Sequence, residues 1–97
     1  MNYLGELKAM IGQLHGCEAV HRVTVPVMEV RDGKTVWGGE VEVFDLIGHP
    51  EAKRCYAWGR PGSRPPFKLD VTAVLEIPPV ISAETAVKAA IAAKAAH

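Results

Sequence analysis

Arg54, Tyr56, Trp58 and Arg60 stand two residues apart within RCYAWGR, so an extended backbone carries all four on one face. Guanidinium groups set beside aromatic rings can hold phosphates and stack bases, the chemistry of sequence-tolerant single-strand binding. Arg64 and Lys68, in and just after the glycine- and proline-rich GRPGSRPPF, add two more cations beside such a platform. The same pattern also suits an ordinary strand, with Tyr56 and Trp58 turned toward a helix and the arginines reaching water. In that reading RPPF is a stiff connector rather than a polyproline recognition segment.

Other chemistry-bearing residues lack the company their chemistry needs. His15, Cys17, His21, His49 and Cys55 have zinc-ligand side chains, but their spacing matches no zinc-finger pattern. Neither cysteine has a recognisable oxyanion-forming turn or an orienting third group by spacing, so thiol catalysis is unsupported. Glu40, Glu42 and Asp45 lie on and beside one strand, where carboxylates mark a solvated face and discourage edge-to-edge pairing. The glycines of WGGE and WGRPGSRPP fit neither phosphate-binding pattern, G-x-x-x-x-G-K-[ST] or G-x-G-x-x-G, and read as bends and turns. The sequence therefore points to binding rather than catalysis, with no metal and no cofactor; a metal- or thiol-dependent enzyme ranks third among the readings.

The chain has 97 residues, 48% of them apolar and 23% charged, the balance of one globular domain over residues 1–97. Eleven basic and eleven acidic side chains cancel, so no global field draws the molecule to nucleic acid or to an anionic membrane. The distribution is uneven. Lys53, Arg54, Arg60, Arg64 and Lys68 share the acid-free stretch from Ala52 to Leu69, leaving six basic and eleven acidic residues elsewhere. The amino-terminal MNYLGELKAMIGQLHG has no basic leader and no continuous apolar core, and no apolar run reaches the roughly 18 residues of a membrane span. With two cysteines and no disulfide framework, a cytoplasmic setting is the expectation.

The elements that must position these residues follow from periodicity. Leu4, Leu7, Ile11 and Leu14 form a helical stripe, capped by Asn2 and closed by Gly16. From Val20 the period becomes two, with Pro26 either on an unpaired side or at a bulge, and Asp32-Gly33 then marks a hairpin turn. A second strand spans Thr35 to Ile47, a third Arg54 to Trp58 and a fourth Lys68 to Ile77. In the fourth, Leu69, Val71, Ala73, Leu75 and Ile77 share a face, which reads as a central strand with Leu75 and Ile77 in the core. Ser82 caps a final alanine-rich helix, Ala83 to Ala96, whose small side chains permit close approach to a sheet or to a second copy.

The fold class expected is α+β: a two-layer sandwich in the order α-β-β-β-(β)-α, with both helices on one face of an antiparallel sheet of three to four strands. This order is similar to that of double-stranded-RNA-binding domains. Such a resemblance implies a lysine-rich start to the last helix, where this chain has SAETAVKAA, with Glu84 and Lys88. The expected function is a small cytoplasmic interaction or accessory domain that meets a protein partner or a second copy of itself, through the alanine-rich helix or a sheet edge. The alternative is a nucleic-acid-binding module. Arg54, Tyr56, Trp58, Arg60, Arg64 and Lys68 are the candidate contact residues in either case.

Overall fold

Each helix begins and ends where local chemistry dictates. Asn2 accepts from the Gly5 N–H through its side-chain oxygen (3.1 Å), and Gly16 closes the first helix in the left-handed region at φ 65°. At the second helix, Ser82 Oγ accepts from the Thr85 N–H (3.2 Å), while Thr85 Oγ1 accepts from the N–H groups of Ile81 and Ser82. Asp32 and Gly33 both take positive φ, 52° and 75°, as a two-residue hairpin turn of matching twist requires.

The computed structural model describes residues 2–62 and 68–95. Along the chain come α1 (Tyr3–His15), β1 (Glu18–Arg31), β2 (Lys34–Ile47), β3 (Arg54–Pro61), β4 (Leu69–Leu75) and α2 (Ala83–Ala95). The four strands form one antiparallel sheet in sequential order, β1-β2-β3-β4. The α+β class and the order of elements agree with the sequence reading. No helix among the described residues is long and apolar enough to cross a membrane.

The arrangement of the helices corrects that reading. Leu7 and Ile11 of α1 are buried with Phe44, Cys55 and Ala57, whereas Ala83, Ala86 and Val87 of α2 are buried with Val41, Val43, Tyr56 and Trp58. Cys55 and Ala57 project from β3 opposite to Tyr56 and Trp58, so the helices cover opposite faces and the domain has three layers, not two. β3 is covered on both sides, which is why Cys55, Tyr56, Ala57 and Trp58 are all buried.

Two smaller expectations also change, and one left open is decided. β4 is an edge strand rather than a central one; Leu75 is partly buried because only β3 flanks it, and Ile77, past the end of β4, is 38% exposed. Leu14 is 55% exposed, beyond the part of α1 that packs on the sheet. The register of β1 shifts at Arg22, between His21 and Val23, so Pro26 is not at that bulge and takes the other place expected for it, the unpaired side. That shift sends Ala19 and His21 to the α1 side and Val25 and Val27 to the α2 side.

β1 and β2 outrun the rest of the sheet. Their pairing continues from Glu18/Ile47 to Arg31/Lys34, whereas β2 pairs with β3 only from Asp45/Arg54 to Glu42/Ala57. Beyond Glu42 the hairpin becomes a two-stranded arm. Arg60 ties it back: its Nη2 donates to the Gly38 carbonyl (3.0 Å), and its guanidinium lies 4.9 Å from the centre of the Trp37 ring. Trp37 in turn meets Trp58 edge-on, with ring centres 5.3 Å apart.

Candidate functional site

The hydrogen-bond phase of β4 shows what its outer side offers. The Glu76 N–H donates to the Arg54 carbonyl (2.9 Å) and the Gly62 N–H to the Lys68 carbonyl (3.0 Å), so these two pairs lie on the bonded positions of the β3–β4 ladder. Bonded and non-bonded pairs alternate in an antiparallel ladder. The Cys55/Leu75, Ala57/Ala73 and Gly59/Val71 pairs therefore turn their backbone groups away from each other. On β4 this aims the N–H and C=O groups of Val71, Ala73 and Leu75 outward, where no strand follows. The Leu75 carbonyl accepts from the Ile77 N–H (2.9 Å), and His15 Nε2 sits 3.4 Å from the Ala73 carbonyl, at the far limit of a hydrogen bond. Among the described residues the remaining outward groups of these three residues have no partner.

A groove of about 850 Å³ runs beside this edge. Its floor is Trp58, Thr72 and Val74, and its wall is the C-terminal half of α2, where Ala89, Ala90 and Ala93 leave space that larger side chains would fill. Arg60, Asp70, Lys94 and His15 supply its polar rim. An unpaired strand and an apolar trough thus lie side by side.

On the inner side of β3 the same alternation turns Gly59 toward β2, which has already diverged. The Tyr3 hydroxyl takes the place of the missing strand by accepting from the Gly59 N–H (2.9 Å). A smaller polar pocket of about 300 Å³ opens at this divergence, between Tyr3, Glu40, Glu42 and Arg60. Glu42 is 6% exposed, contrary to the solvated role its sequence suggests. Its Oε1 accepts from the Thr24 hydroxyl and lies 2.9 Å from His21 Nε2, so both contacts fall on one carboxylate oxygen.

The six sequence candidates scatter. Tyr56 and Trp58 share the α2 side of β3 as their spacing requires, but both are buried, at 3% and 5% exposure, so stacking platforms are not open on them. Tyr56 donates its hydroxyl proton to Glu76, and burial, reinforced by that bond, pushes its pKa up to about 12. Arg54 faces Asp45 at 3.4 Å, and Asp45 also meets Arg22 at 3.1 Å. Arg60 is the latch on the arm and a rim residue of the groove. Lys68 is exposed at the start of β4, and Arg64 lies outside the described residues.

Catalytic alternatives gain nothing from the geometry. Cys55 is fully buried, and burial first, then the neighbouring Cys17, pushes its thiol up to about 12, the opposite of an activated nucleophile. Among the described residues no three His, Cys, Asp or Glu side chains come together to hold a metal.

His15, Trp37 and Tyr3 are the site residues that the sequence reading missed, whereas the Ala89–Lys94 wall belongs to the alanine-rich helix it named as a contact surface. The alternation of small residues along α2 was a usable signal, since alanines at positions 89, 90 and 93 leave a helix face unfilled; nothing local marks His15 or Tyr3. No family model matches the chain, and no curated protein and no solved structure shows significant similarity to it.

Proposed function

We propose that the protein is a non-catalytic interaction module whose contact surface is the outer edge of β4 and the groove beside it, and which takes a strand from another protein chain. The observation that carries this reading is the coincidence of three outward-facing residues, Val71, Ala73 and Leu75, with an apolar trough on the α2 side. Strand addition needs both: backbone groups for affinity, and room for alternate side chains for specificity.

The test is a selection of peptides from a random display library on the wild-type protein, with Ala73→Pro as the counter-target. Proline at position 73 removes an outward N–H and leaves the β3 ladder intact. Peptides that bind wild type alone and shift the amide resonances of Val71, Ala73 and Leu75 support strand addition. Peptides that bind both proteins equally place the contact elsewhere and defeat the reading.

A nucleic-acid grip by Arg54, Tyr56, Trp58, Arg60, Arg64 and Lys68 receives less support. Its two rings are covered by the α2 side of the core, and Arg54 and Arg60 already have partners.

A further inference from the structure

We infer that the strand taken up by β4 is β4 of a second copy of this chain, paired about a two-fold axis through Thr72. This rests on the strand-docking reading above and adds the identity of the occupant.

The ladder with β3 extends one residue past β4 at each end, to Lys68 opposite Gly62 and to Glu76 opposite Arg54. Nine positions result, and Thr72 is their centre. Their side chains on the α2 side run Lys68, Asp70, Thr72, Val74, Glu76. The outward backbone groups belong to Val71, Ala73 and Leu75, so an antiparallel copy must bond odd-numbered residues to odd-numbered residues. That leaves few registers, and charge separates them.

With the axis at Thr72, each Lys68 stands opposite Glu76 of the other copy, giving two identical attractive pairs. Val71 then bonds with Ala73 of the second copy, Leu69 meets Leu75, and the two Thr72 side chains face each other, a favoured cross-strand pair. Moving the axis to Ala73 puts Asp70 opposite Glu76, and moving it to Asp70 puts that residue opposite its own copy; both set like charges against each other. An axis at Val71 opposes Lys68 to Val74 and makes no charge pair. Asp70 does not oppose the Thr72 register, since it meets Val74 across the axis and faces its own Arg60 within the chain. A two-fold contact needs a self-complementary patch, and lysine at one end with glutamate at the other supplies it.

Two further features fit. Among the described residues no carboxylate lies within 4 Å of Lys68, so its charge is free for a partner. The alanine-lined wall of α2 leaves space above β4, so that the two grooves would merge over the joined strands. His15 would yield the Ala73 carbonyl to the incoming Val71 N–H.

Sedimentation velocity on the full chain, from about 1 to 100 µM, reads the outcome. A dimer is expected for wild type and a monomer for Ala73→Pro. Lys68→Glu weakens the dimer roughly tenfold, as two reversed pairs should, and adding Glu76→Lys to it restores the affinity. Lys68 is exposed, but Glu76→Lys also removes the acceptor of the Tyr56 hydroxyl. Native folding and stability of every variant are therefore confirmed by circular dichroism and urea denaturation before its affinity is read, so that neither loss nor absence of rescue is one of structure. A wild-type monomer over the whole range overturns the inference, as does a dimer that survives Ala73→Pro or a double variant that shows no rescue. If the wild type is monomeric but library peptides still move the Val71, Ala73 and Leu75 amides, self-pairing falls and strand docking stands; if neither occurs, both fall.

Discussion

The sheet has two outer edges, and the longer one is the better protected. β1 spans 14 residues and leaves Val20, Val23, Met28 and Val30 between 45% and 71% exposed, which by length and apolarity should make it the stickier edge. Its hydrogen-bond phase says otherwise. Glu42 and Phe44 turn their backbones toward β3, so Val41 and Val43 turn theirs toward Val25 and Val23 of β1, and Pro26, opposite Glu40, falls on an outward position. The middle of that edge therefore lacks a donor. β4 is half as long, yet no proline interrupts it and a groove borders it. Which residue occupies the outward phase matters more than how long or how greasy a strand is.

Proline substitutions test this contrast most sharply. Thr72 bonds with Trp58 in the β3 ladder, so Thr72→Pro should lower stability by about 3 kcal/mol or more, whereas Ala73→Pro, one residue on, should lower it far less. Urea denaturation of the two variants measures the gap; equal losses would mean that the outward phase of β4 is wrong.

A hydroxyl deletion comes next. Tyr3→Phe leaves the Gly59 N–H without its acceptor beside the diverging strands and should cost about 1 kcal/mol in the same measurement. No loss would mean that water serves Gly59 equally well.

Alkaline titration separates the two sides of the sheet. Cys55, on the α1 side, and Tyr56, on the α2 side, have ordinary values of 9.0 and 10.0, and both are raised to about 12 in the fold. The folded state thus holds protons that the unfolded chain releases, so stability is intact below about pH 9 and falls as pH climbs toward 12. Cys55→Ala should remove the earlier part of that decline, and Tyr56→Phe the later part. Denaturant midpoints at pH 8 to 11 check the order, and an unchanged profile in both variants would contradict it.

The smallest expected change is on β1. Pro26→Val restores an outward donor with no ladder bond at stake, so stability should move by only about 0.5 kcal/mol while light scattering reports new association. A variant that stays as disperse as wild type would show that the exposed valines, not the proline, govern that edge.

Local signals made much of this fold legible. Asn2, Gly16, Asp32-Gly33 and Ser82 act where their side chains and backbone freedom predict, and the strands follow the period-two stretches. The faces were harder. Four adjacent non-charged residues, Cys55 to Trp58, with no polar alternation, are what a strand covered on both sides contains, and that pattern argues for helices on opposite faces. β4 alternates cleanly because its odd-numbered residues pack with the α1 side of the core while its α2 side borders an open groove, and alternation reports the character of a face, not position within a sheet. Of the site, Trp58, Arg60 and Lys68 were visible as a basic and aromatic cluster. Its controlling property, the direction in which the backbone of Ala73 points, depends on the register with β3, which side-chain types do not encode.

The single extra residue at Arg22 has a wider effect than a local kink. Because of it, one strand supplies Ala19 to the layer beneath α1 and Val27 to the layer beneath α2, so neither layer can come apart without pulling on a strand shared with the other. Deleting that residue would roll Val25 and Val27 onto the α1 side and strip the layer beneath α2 of both.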